Sequence, residues 1–405
     1  MAGSLLPVDE ALAILLDGVL PIPDRETCDL VEADGRVLAE DLLSRITQPP
    51  FSASAMDGYA VRSDDATAGA TLSVIGTVAA GETPEISVAP ATAIRIFTGA
   101  PLPPGADSVV IQENTEVMGD RIRITEPVAK NANIRAAGQD FREGQVLLAG
   151  GRLLDARSLS LAAAGGHGTL PVHRRPKIAV LATGDELVPP GEMPGPGQIS
   201  ASAGIALQSL ARENGGETRD LGIARDNVAA IEAAVERARQ WGADVLITIG
   251  GASVGDRDLV GPTLQSLGMS LDFWKIAMRP GKPLMVGNLG DMKVLGLPGN
   301  PVSAYVCALI FAEPLIRRLA ALPARNRLRR AFAAEAIGPN GPRRHYMRAR
   351  FTDRGEKRVA ACESQDSSLI ATLADADCLI IRPPADDAVR PGAPLEVMLL
   401  GGDLL

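Results

Sequence analysis

Two apolar runs, KIAVLAT at 177–183 and ADVLITI at 243–249, constrain the fold of this chain more than any other feature. Neither alternates apolar with polar residues, as a strand with one wet face would. Both read as strands buried on both faces, a condition met where helices cover both sides of a mainly parallel sheet. The segments around them supply those helices. SAGIALQSLARENGG (202–216) is helical in period and closed by glycine, and NVAAIEAAVERARQWG (227–242) repeats the pattern. KVLGLPGNPVSAYVCALIFAEPLIRRL (293–319) is a strand running into a helix. The alternation predicts a doubly wound, mostly parallel α/β domain over 177–326. In such sheets ligands sit outside the carboxyl ends of the strands.

The rest of the 405-residue chain has a different texture, and this length implies several domains. Helices are expected at 8–19, 31–43 and 156–164, the last closed by Gly165 and Gly166, with 170–176 as a connector. Between them, TLSVIGTVAA, TAIRIFTGA, DSVVIQEN and DRIRITEP read as short strands punctuated by turns. The helical pieces flank this β-rich block, so a discontinuous N-terminal helical domain (1–46 and 146–176) is expected to carry residues 47–145 as an insertion. Residues 327–405 return to strands and form a C-terminal β domain.

Several function classes are excluded. A net charge of −9 argues against nucleic-acid binding, which needs a basic face. The N-terminal run ALAILLDGVL follows Asp9 and Glu10 and lacks the basic start of an export signal. No stretch reaches the roughly 18 uninterrupted apolar residues of a membrane span. Cys28, Cys307, Cys362 and Cys378 form no metal-type pair, and a reduced cytoplasmic setting is expected. There is no G-x-x-x-x-G-K-[ST], no G-x-G-x-x-G after a strand and no H-E-x-x-H.

Four loops at the ends of the α/β strands carry unusual chemistry. LATGDELV breaks at Gly184 and presents Asp185 and Glu186 after Thr183. IGGASVGDRDL offers Gly250, Gly251, Ser253 and Gly255 to an anion, then adds Asp256 and Asp258. In LPGNPVSA, Asn300 is a good N-cap and Pro301 a natural first helical residue, leaving backbone N–H groups for an anion. MRPGKPL puts Arg279 and Lys282 on a stiff loop. Taken singly, the acids could cap helices and the cations could be solvated. Their shared position at one sheet edge favours an anionic ligand met together with a divalent metal, since Mg²⁺ binds through one or two carboxylates plus substrate phosphates. In the β-rich block, Asp57 lies in SASAMDGYAV, Thr98 in RIFTGAPLP and Asp140 in GQD, each alone readable as a turn residue. Eight arginines against Glu335 in 325–350 read as a solvated linker face, with an anion contact by Arg348 or Arg350 as the sharper option.

Together SAMDGYAV, RIFTGAPLPPGAD, GQDF, KIAVLATGDEL, GGASVGDRD, MRPGKPL and LPGNPVSA resemble the molybdopterin molybdenumtransferase family, which includes the gephyrin E domain. These seven motifs run in family order along essentially the whole chain. The resemblance implies a homodimer of four-domain subunits: an elongated helical linker domain, an inserted β-rich domain, an α/β domain like the molybdopterin adenylyltransferases and a small C-terminal β-barrel. It implies an active site between the α/β domain and parts of the partner, and other proteins of molybdenum-cofactor biosynthesis as further partners. The implied reaction joins molybdate to adenylylated molybdopterin, cleaves the pyrophosphate link with Mg²⁺ and releases AMP. Carried over by motif, Asp57, Asp140, Glu186 and Asp256 are catalytic candidates, with Glu186 and Asp256 on the metal. Thr98 falls in a substrate segment, Lys275, Arg279 and Lys282 in the basic loop, and Pro298, Pro301 and Ser303 in the PGNP loop. Two departures stand out: Ser52 and Ala53 replace an acid and an amide, and Arg279 replaces a lysine, which favours planar bidentate oxyanion contacts. The rival expectations are an adenylyltransferase or pyrophosphatase acting on a related pterin nucleotide, and a peptide-binding scaffold.

Overall fold

The structure, a computed structural model, describes residues 5–251 and 259–401. The chain divides into two units: Thr27–Val172, and Met1–Glu26 with His173–Leu405. Helix α1 (Val8–Leu16) opens the chain and belongs to the larger unit.

The smaller unit is built on a six-stranded sheet of β1 (Gly58–Val61), β2 (Thr71–Val78), β3 (Thr92–Ile96), β4 (Ser108–Ile111), β5 (Thr115–Met118) and β6 (Arg121–Ile124). The spatial order is β4-β1-β3-β2-β6-β5. In β6 the sequence RIRI buries Ile122 and Ile124 and exposes Arg121 and Arg123, the two-residue period of a half-buried strand. Helix α2 (Ala156–Ala164) is capped by Asp155, whose carboxylate accepts the Ser158 N–H at 2.8 Å. Ala33, Leu38 and Leu42 pack with Leu148, Leu154 and Ala162, so the flanks of the six-stranded sheet share one core.

Two expectations fail in this unit. Residues 31–43 do not form a helix. After a turn that ends at Gly35 (φ +68°), the Leu38 N–H reaches the Arg152 carbonyl and Ala39 that of Pro171, so cross-chain partners replace the i−4 bonds of a helix. Residues 170–173 belong to a strand, Thr169–His173, and are not a connector.

The larger unit contains β7 (Lys177–Thr183), α3 (Ala203–Glu213), β8 (Glu217–Ala224), α4 (Val228–Trp241), β9 (Val245–Ile249), α5 (Val260–Ser266), β10 (Ser270–Trp274), β11 (Met285–Leu289), β12 (Met292–Leu297), α6 (Pro301–Cys307) and α7 (Glu313–Leu319). Sheet order is β8-β7-β9-β12-β11-β10; the first four strands are parallel, and β11 and β10 run antiparallel to their neighbours. Alternate residues of the apolar runs enter opposite cores. Ile178, Val180, Val245 and Ile247 pack with α3 and α6, whereas Ala179, Leu181 and Leu246 pack with α4 and α5. This is the doubly wound layering expected of strands without a wet face.

Helix α1 lies in the first of these cores through Val8, Ala11 and Leu15. Its apolar stripe meets the α/β core. The Leu6 carbonyl also accepts the Ala277 N–H at 2.8 Å, and Asp9 pairs with Arg344 at 2.6 Å.

The C-terminal strands β13 (Leu328–Ala333), β14 (Arg344–Asp353), β15 (Arg358–Ala361), β16 (Cys378–Arg382) and β17 (Pro394–Leu399) close in the order β14-β15-β13-β17-β16-β14, a five-stranded barrel. Helix α8 (Ile370–Ala374) is inserted between β15 and β16. Residues 325–350 are therefore not a solvated linker. Arg327 is buried against Glu313 at 2.8 Å, Arg350 pairs with Asp375, and Arg348 is 2% exposed.

Candidate functional site

Strand β7 lies between β8 and β9, so the crossovers that follow it leave toward opposite sides and the loops after β7 and β9 diverge. A cavity of about 740 Å³ opens there, lined by Thr183, Gly184 and Glu186 from the first loop and by Gly250 and Gly251 from the second. Pro298, Asn300 and Pro301 complete it from the end of β12. Close backbone approach explains the glycines. Gly250 has φ +90°, and a Cβ on it would stand 2.7 Å from the Thr183 carbonyl oxygen. The buried Thr183 hydroxyl donates to the Ile249 carbonyl at 3.3 Å, tying the two strand ends together. A second cavity, of about 620 Å³, shares Gly184 with the first, and Asp185 faces it. Consecutive carboxylates on one loop thus serve different lobes of one cleft.

The other expected residues fare unevenly. Asn300 occupies the N-cap position of α6, but its side chain makes no cap; its amide donates to the Ser367 hydroxyl at 3.0 Å. The Val302 N–H, one of the donors expected to be open to an anion, goes to the Ser367 carbonyl at 3.3 Å. Ser303 is buried within the first turn. Lys275 has φ +72° and lies over the Trp274 ring at 5.8 Å. Arg279 and Lys282 are exposed, and neither side chain has an ion-pair partner among the described residues. Their loop is clamped: Arg344 N–H donates to the Ala277 carbonyl, and Cys307 packs so closely on Gly281 that a Cβ there would lie 2.4 Å from its sulfur. Ser253, Gly255, Asp256 and Asp258 lie outside the described residues.

In the smaller unit, Asp57 and Thr98 come together. The Thr98 N–H and hydroxyl both donate to one Asp57 oxygen, at 2.7 and 2.8 Å, and hold the exposed carboxyl below its usual range. Asp140 is exposed on a turn, its N–H on the Gln48 carbonyl.

Sequence reasoning missed four lining residues. Asp226 follows β8, Ser200 and Ser202 precede α3, and Ser368 arrives from the barrel. The buried Arg348 guanidinium brings Ser368 there, donating to the carbonyls of Ser364, Asp366 and Leu369 and pinning the intervening loop. Neither Arg348 nor Arg350 is an open anion contact. Among the described residues no three His, Cys, Asp or Glu side chains cluster as a metal cage, and no helix is long and apolar enough to cross a membrane.

A switch-point cleft with a glycine floor and carboxylate rim defines an α/β protein whose strand ends suit an anionic, phosphate-bearing ligand. The comparisons narrow this class. Three family models match in succession: the MoeA N-terminal region (domain I and II) over residues 6–166, a probable molybdopterin binding domain over 179–318 and the MoeA C-terminal region (domain IV) over 330–400. A molybdopterin molybdenumtransferase from Haemophilus influenzae is 37% identical, the match covering 93% of this chain and 94% of that one. One from Nostoc is 38% identical over 74% of this chain and 70% of its own. A crystal structure of a molybdopterin biosynthesis MoeA protein from Pyrococcus horikoshii superposes with a TM-score of 0.86 at 31% identity, covering 98% of this chain and all of that one. The chain belongs to the molybdopterin molybdenumtransferase family.

Proposed function

We propose that this chain is a molybdopterin molybdenumtransferase that joins molybdate to adenylylated molybdopterin, cleaving the pyrophosphate link and releasing AMP. The observation that carries the reading is the convergence of the TGDE, GG and PGNP loops on one cavity that also holds two carboxylates, Glu186 and Asp226. Glycine backbone lets a pyrophosphate approach closely, and Lys275, Arg279 and Lys282 supply positive charge on the neighbouring loop.

Two carboxylates beside a phosphate cleft, with no all-protein cage among the described residues, are a donor set that suits Mg²⁺, which keeps water and substrate oxygens in its shell. Glu186 and Asp226 would hold it, with Asp256 as a further ligand; bound there, it would polarise a phosphoryl oxygen. The chain's own residues bind and orient. The carboxylates position the attacking water or molybdate oxygen, and the basic loop steadies the oxyanion. A homodimer is the proposed working form, with Asp57, Thr98 and Asp140 as its further catalytic and substrate contacts, and the cytoplasm its proposed location.

An anaerobic assay with adenylylated molybdopterin, varying molybdate and Mg²⁺ and reading AMP and cofactor, tests this. Molybdate-dependent AMP release is expected, and Asp256→Asn should abolish it without loss of fold. Adenylylated pterin produced instead of consumed would point to an adenylyltransferase. A chain inert in both directions would point to a scaffold.

A further inference from the structure

The cleft has two lobes, and only the larger has the glycine floor and the Glu186 and Asp226 pair that suit phosphoryl chemistry. The smaller lobe differs in chemistry. Pro189, Ile205 and Ile223 give it apolar walls fit for a flat ring, and its polar side chains are the carboxylates of Asp185 and Asp220, the Gln198 amide and the Arg225 guanidinium. One Asp185 oxygen accepts the Asp226 N–H at 3.3 Å, and the other accepts no hydrogen bond among the described residues. Gln198 uses its side-chain oxygen on the Gly195 N–H, which turns its amide N–H groups into available donors.

These facts discriminate between the two heterocycles of the substrate proposed above, on which this inference rests. A pterin presents its 2-amino group and N3–H side by side, two parallel donors that one carboxylate takes in a bidentate pair. The corresponding edge of adenine alternates a donor with the lone pair of N1, which a carboxylate repels. We propose that the smaller lobe is the pterin subsite and that Asp185 reads the 2-amino and N3–H edge. Gln198 faces the 4-oxo group, and the adenylate and pyrophosphate lie toward the larger lobe. The adjacency of Asp185 and Glu186 then has a purpose: one residue step separates recognition of the ring from the reacting phosphates.

The test uses the full-length chain and three probes in fluorescence or calorimetric titrations: pterin, lumazine (in which an oxo group replaces the 2-amino group) and AMP. The wild type should prefer pterin to lumazine. Asp185→Asn should weaken pterin by about tenfold or more and abolish that preference, because the amide offers one acceptor where two donors arrive, while leaving AMP unchanged. Asp220→Asn and Glu186→Gln should keep the preference. If Asp185→Asn retains it, if Asp220→Asn abolishes it instead, or if AMP weakens in parallel, the assignment is overturned while the transferase reading stands. A wild-type chain that binds no pterin also overturns the assignment, whereas only the absence of molybdate-dependent AMP release overturns the transferase reading.

Discussion

Replacing Gly250 with alanine places a Cβ 2.7 Å from the Thr183 carbonyl oxygen and 2.9 Å from its hydroxyl, at a backbone φ of +90°. Two costs add. An L side chain held at positive φ loses roughly 1–2 kcal/mol. Contacts well inside van der Waals range force a shift of backbone that costs about 1–3 kcal/mol more. The neighbour cannot yield cheaply, because Thr183 ends β7 and its hydroxyl is bonded to the Ile249 carbonyl. Gly290 is the control. It lies at φ +65° between β11 and β12 with nothing within 4 Å of its notional Cβ, so Gly290→Ala carries the backbone cost alone. Thermal unfolding followed by circular dichroism should place Gly250→Ala below Gly290→Ala by the contact cost, at about 2–4 °C per kcal/mol for a domain of this size. AMP affinity should fall only in the first variant, since only its strand ends are pushed apart. Equal melting temperatures and equal AMP affinities for the two variants would refute the claim that close strand approach at the cleft requires Gly250.

Other perturbations separate binding chemistry from folding. Glu186→Gln and Asp226→Asn should each lower turnover about tenfold or more with melting unchanged, because both carboxylates are at the cleft and neither is in a core. Arg327→Ala should cost about 3–5 kcal/mol, leaving Glu313 charged and buried; replacing both by leucine or methionine should recover most of it, read from urea midpoints. Burial first, then the nearby charges of Arg279, Arg343, Arg382 and Arg348, push His345 down from 6.5 to about 4. As pH falls below 6.5 the unfolded chain takes up this proton and the folded chain does not until about 4, so stability is lost across that window at about 1.4 kcal/mol per pH unit. His345→Gln should flatten that slope between pH 6.5 and 4 in urea titrations, and an unchanged slope would exclude the histidine as its source.

The central strands could be read because burial on both faces writes itself into composition: β7 and β9 are apolar nearly throughout. Strand β8, with the sequence ETRDLGIA, could not. It is the sheet's edge, only Leu221 and Ala224 are buried, and the polar run Glu217, Thr218, Arg219 and Asp220 before them erases the period. Asp226 went unnoticed for the same reason, since a loop cannot be assigned to a strand end when the strand is not seen. The segment 31–43 failed the other way. Its apolar spacing fits a helix, yet backbone partners at Arg152 and Pro171, more than a hundred residues away, outcompete local bonds.

Asn300 shows why the site itself was harder to read than the strands that hold it. Asparagine before proline at a helix start is a sound cap, and the position is as expected. The cap is absent because the Ser367 carbonyl takes the Val302 N–H that a cap would accept, while the Asn300 amide N–H is turned to the Ser367 hydroxyl 3.0 Å away. Ser367 is there because Arg348, buried in the barrel, binds three carbonyls of residues 364–369. A buried guanidinium needs acceptors that only tertiary structure supplies, so its sequence context looks like that of a solvated arginine. The PGNP loop is therefore set from a second domain of the same unit. Its donors are partly consumed in that contact, so the proposed oxyanion binding rests more on the glycine loops and the exposed cations of the basic loop.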